Sequence, residues 1–429
     1  MAEFKHAPLP ADACLMMTEK LQFDPSSRAV IDNPFPLFAR LQREAPVHWS
    51  ETLSGWVVTR YADCKSVIMD KRFSAERMQP FFASLSAEQR ARVQKLESCF
   101  SLWAVFLDPP DHTRLRRLLN RGFTSRAVNG MAPRIAAIAH EAIDRVANRE
   151  EIDFIRDIAY RIPAAVIMEM MGAPRSEIEH FKLWSDDIAL FVGGSRITPD
   201  KYARAEAATA QMRDAFRVLI AERRRLPRDD MISDLIRAED AGEVLNEEEL
   251  IATCILLLFA GHETTGNLFG TGMYYFLRHP QQFEDLRLHP ELADQAVEEI
   301  LRHDGPNAAV TRVANEDVEL GGHTIGKGQR VFAMINAANR DPEIHTDPQT
   351  FNIRRKTEGS QALGHLTFGH GIHFCIGAPL ARLEGRIALQ LFAQRIRNPR
   401  LIGAPPEWLD SLSFRGLSKL PMRCDFTGS

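Results

Sequence analysis

Phe368-Gly-His-Gly-Ile-His-Phe-Cys-Ile-Gly377 carries the strongest structural signal in this chain, because it sets one cysteine, Cys375, in a glycine-rich turn. Glycine lets a backbone turn tightly and approach a flat object closely, since no Cβ stands in the way. Ala378-Pro-Leu-Ala-Arg-Leu-Glu384 follows, with proline near its start, and predicts the first turns of a helix. A cysteine just ahead of a helix meets unpaired N–H groups and the positive end of the helix dipole. Both favour the thiolate, which is the form that binds metal.

Three familiar roles for a cysteine or a glycine-rich turn compete at this position. A buried free cysteine is a common role for a lone thiol and competes until the glycines are considered. A dinucleotide-binding fingerprint would need a third glycine at position 374, which holds Phe374. A structural zinc site would need a second cysteine or a Cys/His pair at short spacing, and neither is present.

The stretch resembles the haem-binding signature of the cytochrome P-450 family, Phe-x-x-Gly-x-His-x-Cys-x-Gly. The five fixed positions of that signature are held here by Phe368, Gly371, His373, Cys375 and Gly377. The resemblance implies that Cys375 ligates the iron of haem b (iron protoporphyrin IX), and that the loop, including Gly369, contacts this cofactor. In this family the thiolate pushes electron density toward the iron, which favours cleavage of the O–O bond.

The composition argues against several classes of protein. Of 429 residues, 53 are basic and 57 are acidic, and the formal net charge of -4 does not suggest a nucleic-acid partner. The six cysteines lack pair spacing, so no disulfide framework is expected. The N-terminus has no apolar core of signal-peptide length, and the longest apolar run, residues 254–260, is far short of the roughly 20 residues that span a bilayer. We therefore expect a cytoplasmic protein with no membrane partner.

A long helix is predicted from Asn246, which forms a capping box with Glu249, to about Leu277. Its roughly 32 residues, at about 1.5 Å each, would make a rod of about 48 Å. The middle of this helix, Ala260-Gly-His-Glu-Thr-Thr265, contains glycine and threonine, which disfavour helix. A zinc-protease helix would need histidine at position 266, which is Gly266. The segment is either a weak point in a core helix or a functional one.

The same segment resembles the oxygen-binding groove of the P-450 family, Ala-Gly-x-(Asp/Glu)-Thr. The resemblance implies that Ala260 and Gly261 lie against the haem face opposite the cysteine. It also implies that Thr264 steadies dioxygen and an ordered water, while Glu263 connects that water to solvent protons. Thr264 and Glu263 are the expected catalytic residues.

Cationic side chains supply further expected contacts to the cofactor. His112 and Arg116 lie four residues apart and therefore share one face of a predicted basic helix. Composition alone favours a solvated surface for this helix. The resemblance instead matches both residues to positions that hold haem propionates, and it matches Arg312 and His365 to two further such positions. Hydrogen bonds between cations and carboxylates are of the strong kind.

Glu299 and Arg302 form a Glu-x-x-Arg pattern on another predicted helix. By itself this is a common helical ion pair worth a few tenths of a kcal/mol. Its place ahead of the cysteine loop resembles the buried Glu-x-x-Arg of the family, which implies a structural role.

The resemblance implies a mainly α fold with small β-sheets, in which the long helix crosses the haem face. It divides the chain into an irregular N-terminal arm, residues 1–32, and a single haem domain, residues 33–429. The residue patterns predict a β-hairpin from residues 47–49 and 56–59 and two short strands within residues 318–332. Residues 73–107 show no clean period. The resemblance implies that they form the family's variable loop over the substrate pocket, and a loop that packs its own aromatic residues is the alternative.

The function implied is a monooxygenase that inserts one oxygen atom from O2 into a C–H bond of a mid-sized apolar molecule. The expected pocket segments are mainly apolar and aromatic: residues 81–106, 191–192, 308–310 and Phe414. A peroxide-using or radical-coupling haem-thiolate enzyme is the alternative, and a haem carrier or sensor is a second rival. The presence of both Glu263 and Thr264 favours the monooxygenase.

Electrons are expected from a separate ferredoxin-type donor with its NAD(P)H reductase, because the resemblance leaves no room for a flavin or iron–sulfur domain. The donor is expected to dock near Cys375. Basic residues on two predicted helices would steer an acidic donor to this face: Arg114, Arg117, Arg121, Arg382 and Arg386. A solvated basic face without a partner is the alternative.

Overall fold

The computed structural model describes residues 21–194, 198–240, 245–355 and 364–427. Within these ranges the chain is mainly helical with small sheets, as the sequence predicted. The helices in chain order are α1 (Arg28–Asp32), α2 (Phe35–Glu44), α3 (Tyr61–Met69), α4 (Met78–Ala83), α5 (Ala87–Ala91), α6 (Gln94–Phe100), α7 (Asp111–Gly122), α8 (Ser125–Gly130), α9 (Ala132–Asp144), α10 (Arg161–Met171), α11 (Ile178–Val192), α12 (Lys201–Arg225), α13 (Met231–Asp240), α14 (Glu247–Arg278), α15 (Pro280–Leu288), α16 (Ala293–Asp304), α17 (Ile335–Ala338) and α18 (Ala378–Arg395).

The strands form small sheets beside the helices. They are β1 (Val47–Ser50), β2 (Gly55–Val58), β3 (Phe73–Ser74), β4 (Glu151–Asp153), β5 (Ala309–Ala314), β6 (Val318–Leu320), β7 (His323–Ile325), β8 (Arg330–Met334), β9 (Ile396–Leu401), β10 (Glu407–Trp408), β11 (Leu417–Lys419) and β12 (Pro421–Phe426). The largest sheet among the described residues has the order β1-β2-β8-β5-β3. The predicted hairpin is confirmed, since β1 and β2 pair antiparallel with Trp49 opposite Trp56.

The long helix α14 begins and ends close to the predicted residues. Asn246 and Glu249 form the predicted capping box, and the helix runs for 32 residues to Arg278. Its apolar side chains join two core clusters, one with α9, α16 and α18 and the other with α6, α12 and α13. At Gly261 an added Cβ would lie 2.7 Å from Ile167 of α10, so this glycine permits close packing of the two helices. Packing thus offsets the low helix propensity of the segment.

Glu299 and Arg302 are fully buried on α16. Arg302 donates to both carboxylate oxygens of Glu299, at 2.8 and 2.9 Å, and to the carbonyl oxygen of Asn339 at 3.0 Å. Arg355 adds a further donor to Glu299 at 3.1 Å. The pair connects α16 to the segment ahead of the cysteine loop and is not a surface ion pair.

Several local expectations differ from the structure. The stretch 73–107 forms β3, α4, α5 and α6 in place of an irregular loop. Strand β4 was not predicted, because its partner β12 lies some 270 residues further along the chain and leaves no local pattern. Residues 318–332 contribute three strands rather than two, since the turn at Gly321-Gly322 closes β6 against β7 as a separate hairpin.

Part of the predicted N-terminal arm is ordered. Residues 1–20 lie outside the described residues, but α1 is helical and Ile31 is buried in the core. Phe23 stacks on Phe38 of α2 with ring centroids 5.7 Å apart, so burial of these apolar side chains holds residues 21–32 against the body of the protein. None of the helices in the described part of the chain is apolar over a membrane-spanning length.

Candidate active site

The cysteine loop lies directly ahead of α18, as predicted. Gly369 and Gly371 have φ of 72° and 66°, a conformation that side chains rarely adopt, so glycine is required at both positions. The N–H of Cys375 donates to the carbonyl oxygen of Phe368 at 2.9 Å and closes the turn. The thiol of Cys375 faces a cavity, whereas the other cysteines of the described residues (Cys64, Cys99, Cys254 and Cys424) are buried.

Burial raises the pKa of Cys375. The backbone N–H groups of Gly377 and Ala378 and the charge of Arg116 act in the opposite direction. The helix N-terminus alone therefore does not lower the pKa as the sequence suggested, because desolvation of the thiolate is the larger effect. A metal cation on the sulfur would supply the missing counter-charge.

One cavity brings together nearly all of the predicted site residues. It lies between the cysteine loop and the middle of α14. The predicted residues that line it are His112, Arg116, Ala260, Gly261, Glu263, Thr264, Arg312, Phe368, Gly369, His373, Cys375 and Gly377. These residues come from α7, α14, β5 and the loop before α18, and tertiary folding brings them to one cavity.

His365 is the exception and corrects one expectation. It does not line the cavity; its Nε2 lies 3.3 Å from a carboxylate oxygen of Glu298, and its Nδ1 accepts from the N–H of Thr367 at 3.3 Å. Arg382 donates to both oxygens of the same carboxylate, at 2.6 and 3.1 Å. The partly buried carboxylate of Glu298 thus binds the imidazole that was expected to bind a propionate.

A cluster of histidine and arginine side chains lines one end of the cavity. The rings of His112 and His373 lie 4.3 Å apart, and burial lowers the pKa of both, with that of His373 at about 3. Arg312 is 4% exposed and donates to the carbonyl oxygen of Thr311 at 3.0 Å, and burial lowers its pKa to about 10. Arg116 donates to the carbonyl oxygen of Phe374 at 2.6 Å.

Arg77 belongs to the same wall of the cavity and was missed by the sequence analysis. It follows β3 in a stretch without a clean hydrophobic period, and no motif pointed to it. A single arginine between a strand and a short helix carries no pattern that separates it from a surface residue.

The opposite wall is formed by α14. Ala260 presents its methyl group to the cavity, and Thr264 Oγ1 donates to the carbonyl oxygen of Ala260 at 3.1 Å. Glu263 is 9% exposed and accepts a long hydrogen bond from Asn267 at 3.5 Å. Its carboxylate lies 4.0 Å from His262 Nε2.

Glu263 also borders a second cavity on the other side of α14. The polar side chains that line this second cavity include Lys182 and Asp186 of α11, which form an ion pair, and His262 and Asn267. Burial raises the pKa of Asp186, whereas burial lowers the pKa of His262 to about 4. Glu263 is therefore the acidic side chain shared by the two cavities.

The remaining wall of the first cavity is apolar. It includes Trp103, Phe106, Phe259 and Phe414, and the rings of Phe259 and Phe414 lie 5.9 Å apart. The pocket segments expected from the sequence were partly wrong. Three of the expected aromatic residues pack on one another instead of lining the cavity: Phe81, Phe82 and Phe191.

The residues present fit a haem. Arg77 and Arg312 are guanidinium groups in a desolvated wall, and neither is paired with a carboxylate among the described residues. Nδ1 of His112 is buried and has no hydrogen-bond partner in the part of the chain that the structure describes. These unpaired donors match the two propionates of haem, and one cysteine, Cys375, lines the same cavity. The fold and this donor set define a haem-thiolate protein.

Comparisons with known proteins agree with a haem-thiolate protein. The family model for Cytochrome P450 matches residues 49–397. Cytochrome P450 monooxygenase PikC of Streptomyces venezuelae is 39% identical over 400 residues, which is 91% of each chain. Vitamin D(3) 25-hydroxylase of Pseudonocardia autotrophica is 38% identical over 414 residues, 95% of this chain and 98% of that one. The crystal structure of P450BioI with an acyl carrier protein superimposes with a TM-score of 0.84 at 34% identity, covering 92% of this chain and 99% of that chain.

The chain belongs to the cytochrome P450 family. It is a haem-thiolate monooxygenase and hence an oxidoreductase.

Proposed function

We propose that this monooxygenase uses haem b to insert one oxygen atom from O2 into a C–H bond of a mid-sized apolar molecule. The observation that carries the proposal is the pair Glu263 and Thr264, which opens into the same largely apolar cavity as Cys375. Electrons would come from a separate ferredoxin-type protein and its NAD(P)H reductase. We also propose a cytoplasmic location and a single haem domain over residues 33–429.

The protein's share of the chemistry is ligation, orientation and proton supply, while haem, when bound, supplies the activation of dioxygen. Cys375 would ligate the iron, and the N–H groups of Gly377 and Ala378 would temper the charge on its sulfur. The propionates would be held by charge-assisted hydrogen bonds from His112, Arg116, Arg312 and His373.

Proton supply would run through α14. The hydroxyl of Thr264 now donates to Ala260, and rotation of the side chain would present it to the cavity. Because Glu263 borders both cavities, a rotation of its carboxyl group would carry a proton from the second cavity, beside Lys182 and Asp186, to the first. Thr264 would then hold the last water of that path beside the reacting oxygen.

The cavity wall supports an apolar substrate. Trp103, Phe106, Phe259 and Phe414 offer aromatic faces, and Ala260 and Ala309 leave space beside the expected position of the iron. A terpenoid, a steroid-like molecule or an aromatic compound would bury its surface against this wall. The vitamin D(3) 25-hydroxylase that resembles this chain is named for a substrate of that kind.

The donor would dock on the face around Cys375. Ile372 and Phe374 are 56% and 40% exposed there and offer an apolar centre. The basic residues expected to steer the donor are partly neutralised, since Arg114 pairs with Glu249 and Arg382 pairs with Glu298. Arg386 lies 3.9 Å from Asp294, and the side chain of Arg121 lies outside the described residues. We therefore propose weaker electrostatic steering than the sequence implied.

The proposal is tested by a spectral ligand screen followed by turnover. Apolar compounds should produce the optical shift that accompanies displacement of iron-bound water, whereas strongly charged compounds should not. Hits are then incubated with isotope-labelled O2, ferredoxin, reductase and NAD(P)H, and the product should contain the label. A product formed only with hydrogen peroxide, without label from O2, would favour the peroxide-using alternative. Complete absence of turnover with a haem-loaded protein would favour a carrier or sensor.

The donor is tested separately. Steered docking predicts that the reduction rate by an acidic ferredoxin falls as salt shortens the Debye length from about 10 Å at about 0.1 M to about 3 Å at about 1 M. Because of the neutralised arginines we expect a modest fall. A reduction rate that does not depend on salt would contradict electrostatic steering of the donor.

A further inference from the structure

Arg77 stands in the cavity wall in a fixed position. Its guanidinium carbon lies 4.5 Å above the ring centroid of Phe106, and Nη1 donates to the carbonyl oxygen of Thr311 at 3.4 Å. The ring of Phe106 and the carbonyl oxygen of Thr311 together restrict the orientation of the guanidinium group. The remaining N–H donors have no protein acceptor among the described residues and belong to a side chain that lines the cavity.

The charge of Arg77 is uncompensated in this structure. Burial, together with the charge of nearby Arg312, lowers its pKa to about 9. Asp108 is the carboxylate whose charge acts on Arg312, and it already accepts hydrogen bonds from Ser74 Oγ at 2.5 Å and from the N–H of Ala75 at 3.0 Å. Two neighbouring cations in a desolvated wall are costly unless an anion lies between them.

We propose that Arg77 binds a haem propionate, sharing it with Arg312. The inference rests on the proposed haem site. The position of Arg77 supports a propionate over a substrate anion, because its charge acts on Arg312 and His373 at the cationic end of the cavity. The wall that would face a substrate is mainly aromatic and aliphatic. Arg77 thereby joins the cofactor to Phe106 of the substrate pocket.

The test is the rate at which the purified holoprotein transfers its haem to excess apomyoglobin. Arg77→Gln removes the charge and should speed haem loss by about tenfold or more, the effect of losing one charge-assisted hydrogen bond. Arg77→Lys should give an intermediate rate. Arg72→Gln is the matched control, because Arg72 is an exposed arginine five residues earlier that pairs with Asp70, and its loss should leave the rate unchanged.

A second measurement separates a direct contact from a structural effect. The wild type and the Arg77→Lys and Arg77→Gln variants are reconstituted with haem dimethyl ester, whose propionates carry no charge. A direct contact predicts that the variants then lose the cofactor at the wild-type rate. Equal acceleration with both forms of haem would overturn the proposal, as would an Arg77→Gln variant that loses natural haem no faster than Arg72→Gln.

Failure of the haem assignment itself has a different signature. In that case the wild-type protein would hold no haem at all, and both the proposed function and this inference would fall. A wild-type protein that retains haem while Arg77→Gln matches the control rejects the inference alone. If Arg77→Gln does not fold, the comparison of Arg77→Lys with natural and esterified haem decides the question by the same criteria.

Discussion

Arg116 of α7 donates to the carbonyl oxygen of Phe374, the residue before Cys375, at 2.6 Å. The bond ties the cationic helix to the cysteine loop across more than 250 residues of sequence. It also places a positive charge close enough to the cysteine to favour its thiolate form. The side chain of Arg116 therefore holds the cysteine loop in place, favours the thiolate of Cys375 and belongs to the proposed propionate site.

Removing that charge should shift the redox balance of the iron. Arg116→Ala takes a cation from the neighbourhood of the iron and so favours the more positive, oxidised state. We expect the midpoint potential to fall by roughly 60 mV, equivalent to about tenfold in a one-electron equilibrium. Spectroelectrochemical titration measures it, with Arg126→Ala of the exposed surface as the control. An unchanged potential would show that solvent screens Arg116 from the iron.

Glu299 and Arg302 should be essential for the fold. Glu299→Ala leaves the buried guanidinium of Arg302 without its carboxylate, which costs about 3–5 kcal/mol. We expect little holoprotein from expression of this variant. Glu284→Ala, which breaks an exposed pair with Arg287, is the control and should express normally. Normal yield and haem content of Glu299→Ala would contradict a structural role for the pair.

Thr264→Ala tests the proton path. Without the hydroxyl, the water that Thr264 is proposed to hold would lose its hydrogen-bond partner, so reducing equivalents should be diverted to hydrogen peroxide while substrate still binds. The ratio of product to NAD(P)H consumed should fall severalfold. Thr271→Ala, a buried threonine two turns further along α14 that does not line the cavity, should keep the wild-type ratio. An equal ratio of product to NAD(P)H consumed in both variants would show that Thr264 has no role in proton delivery.

Glu298 predicts a pH dependence of stability. Burial raises its pKa, but hydrogen bonds from His365 and Arg382 outweigh burial and lower the pKa from 4.5 to about 2. Because the folded value lies below the unfolded one, the carboxylate stabilises the fold above about pH 4.5, and this stabilisation is lost as the pH falls toward 2. The full effect is at most roughly 3 kcal/mol.

Urea unfolding of wild type and Glu298→Gln across this range provides the test. The difference in unfolding free energy should be constant above about pH 4.5 and should shrink below it. Glu284→Gln, at an exposed pair, should track the wild type at every pH. If the difference in unfolding free energy stays constant down to pH 2, the packing of the Glu298 side chain stabilises the fold and its charge does not.

Local patterns predicted the parts of the site that depend on neighbouring residues. The capping box of Asn246 and Glu249, the glycine turn before Cys375 and the weak helical segment at Thr264 are all features of a few consecutive residues. Each therefore leaves a signature in the sequence, and the structure places each close to where that signature indicated.

The rest depends on contacts between distant segments. His365 turns to Glu298, which lies 67 residues away and carries no motif, so its direction could not be predicted. Strand β4 exists because β12 pairs with it. Arg77 lines the cavity because it contacts both the ring of Phe106 and the carbonyl oxygen of Thr311. Phe81 does not line the pocket because its ring packs against that of Phe191.

The identity of the axial ligand is tested most directly by the spectrum of the reduced carbon monoxide adduct. Cys375 is the only thiol among the described residues that lines the cavity. The wild-type protein should show the strongly red-shifted Soret band of a thiolate ligand, and Cys375→Ser should lose that band, with Cys424→Ser as the control that keeps it. A red-shifted band that survives in Cys375→Ser would contradict ligation by this cysteine.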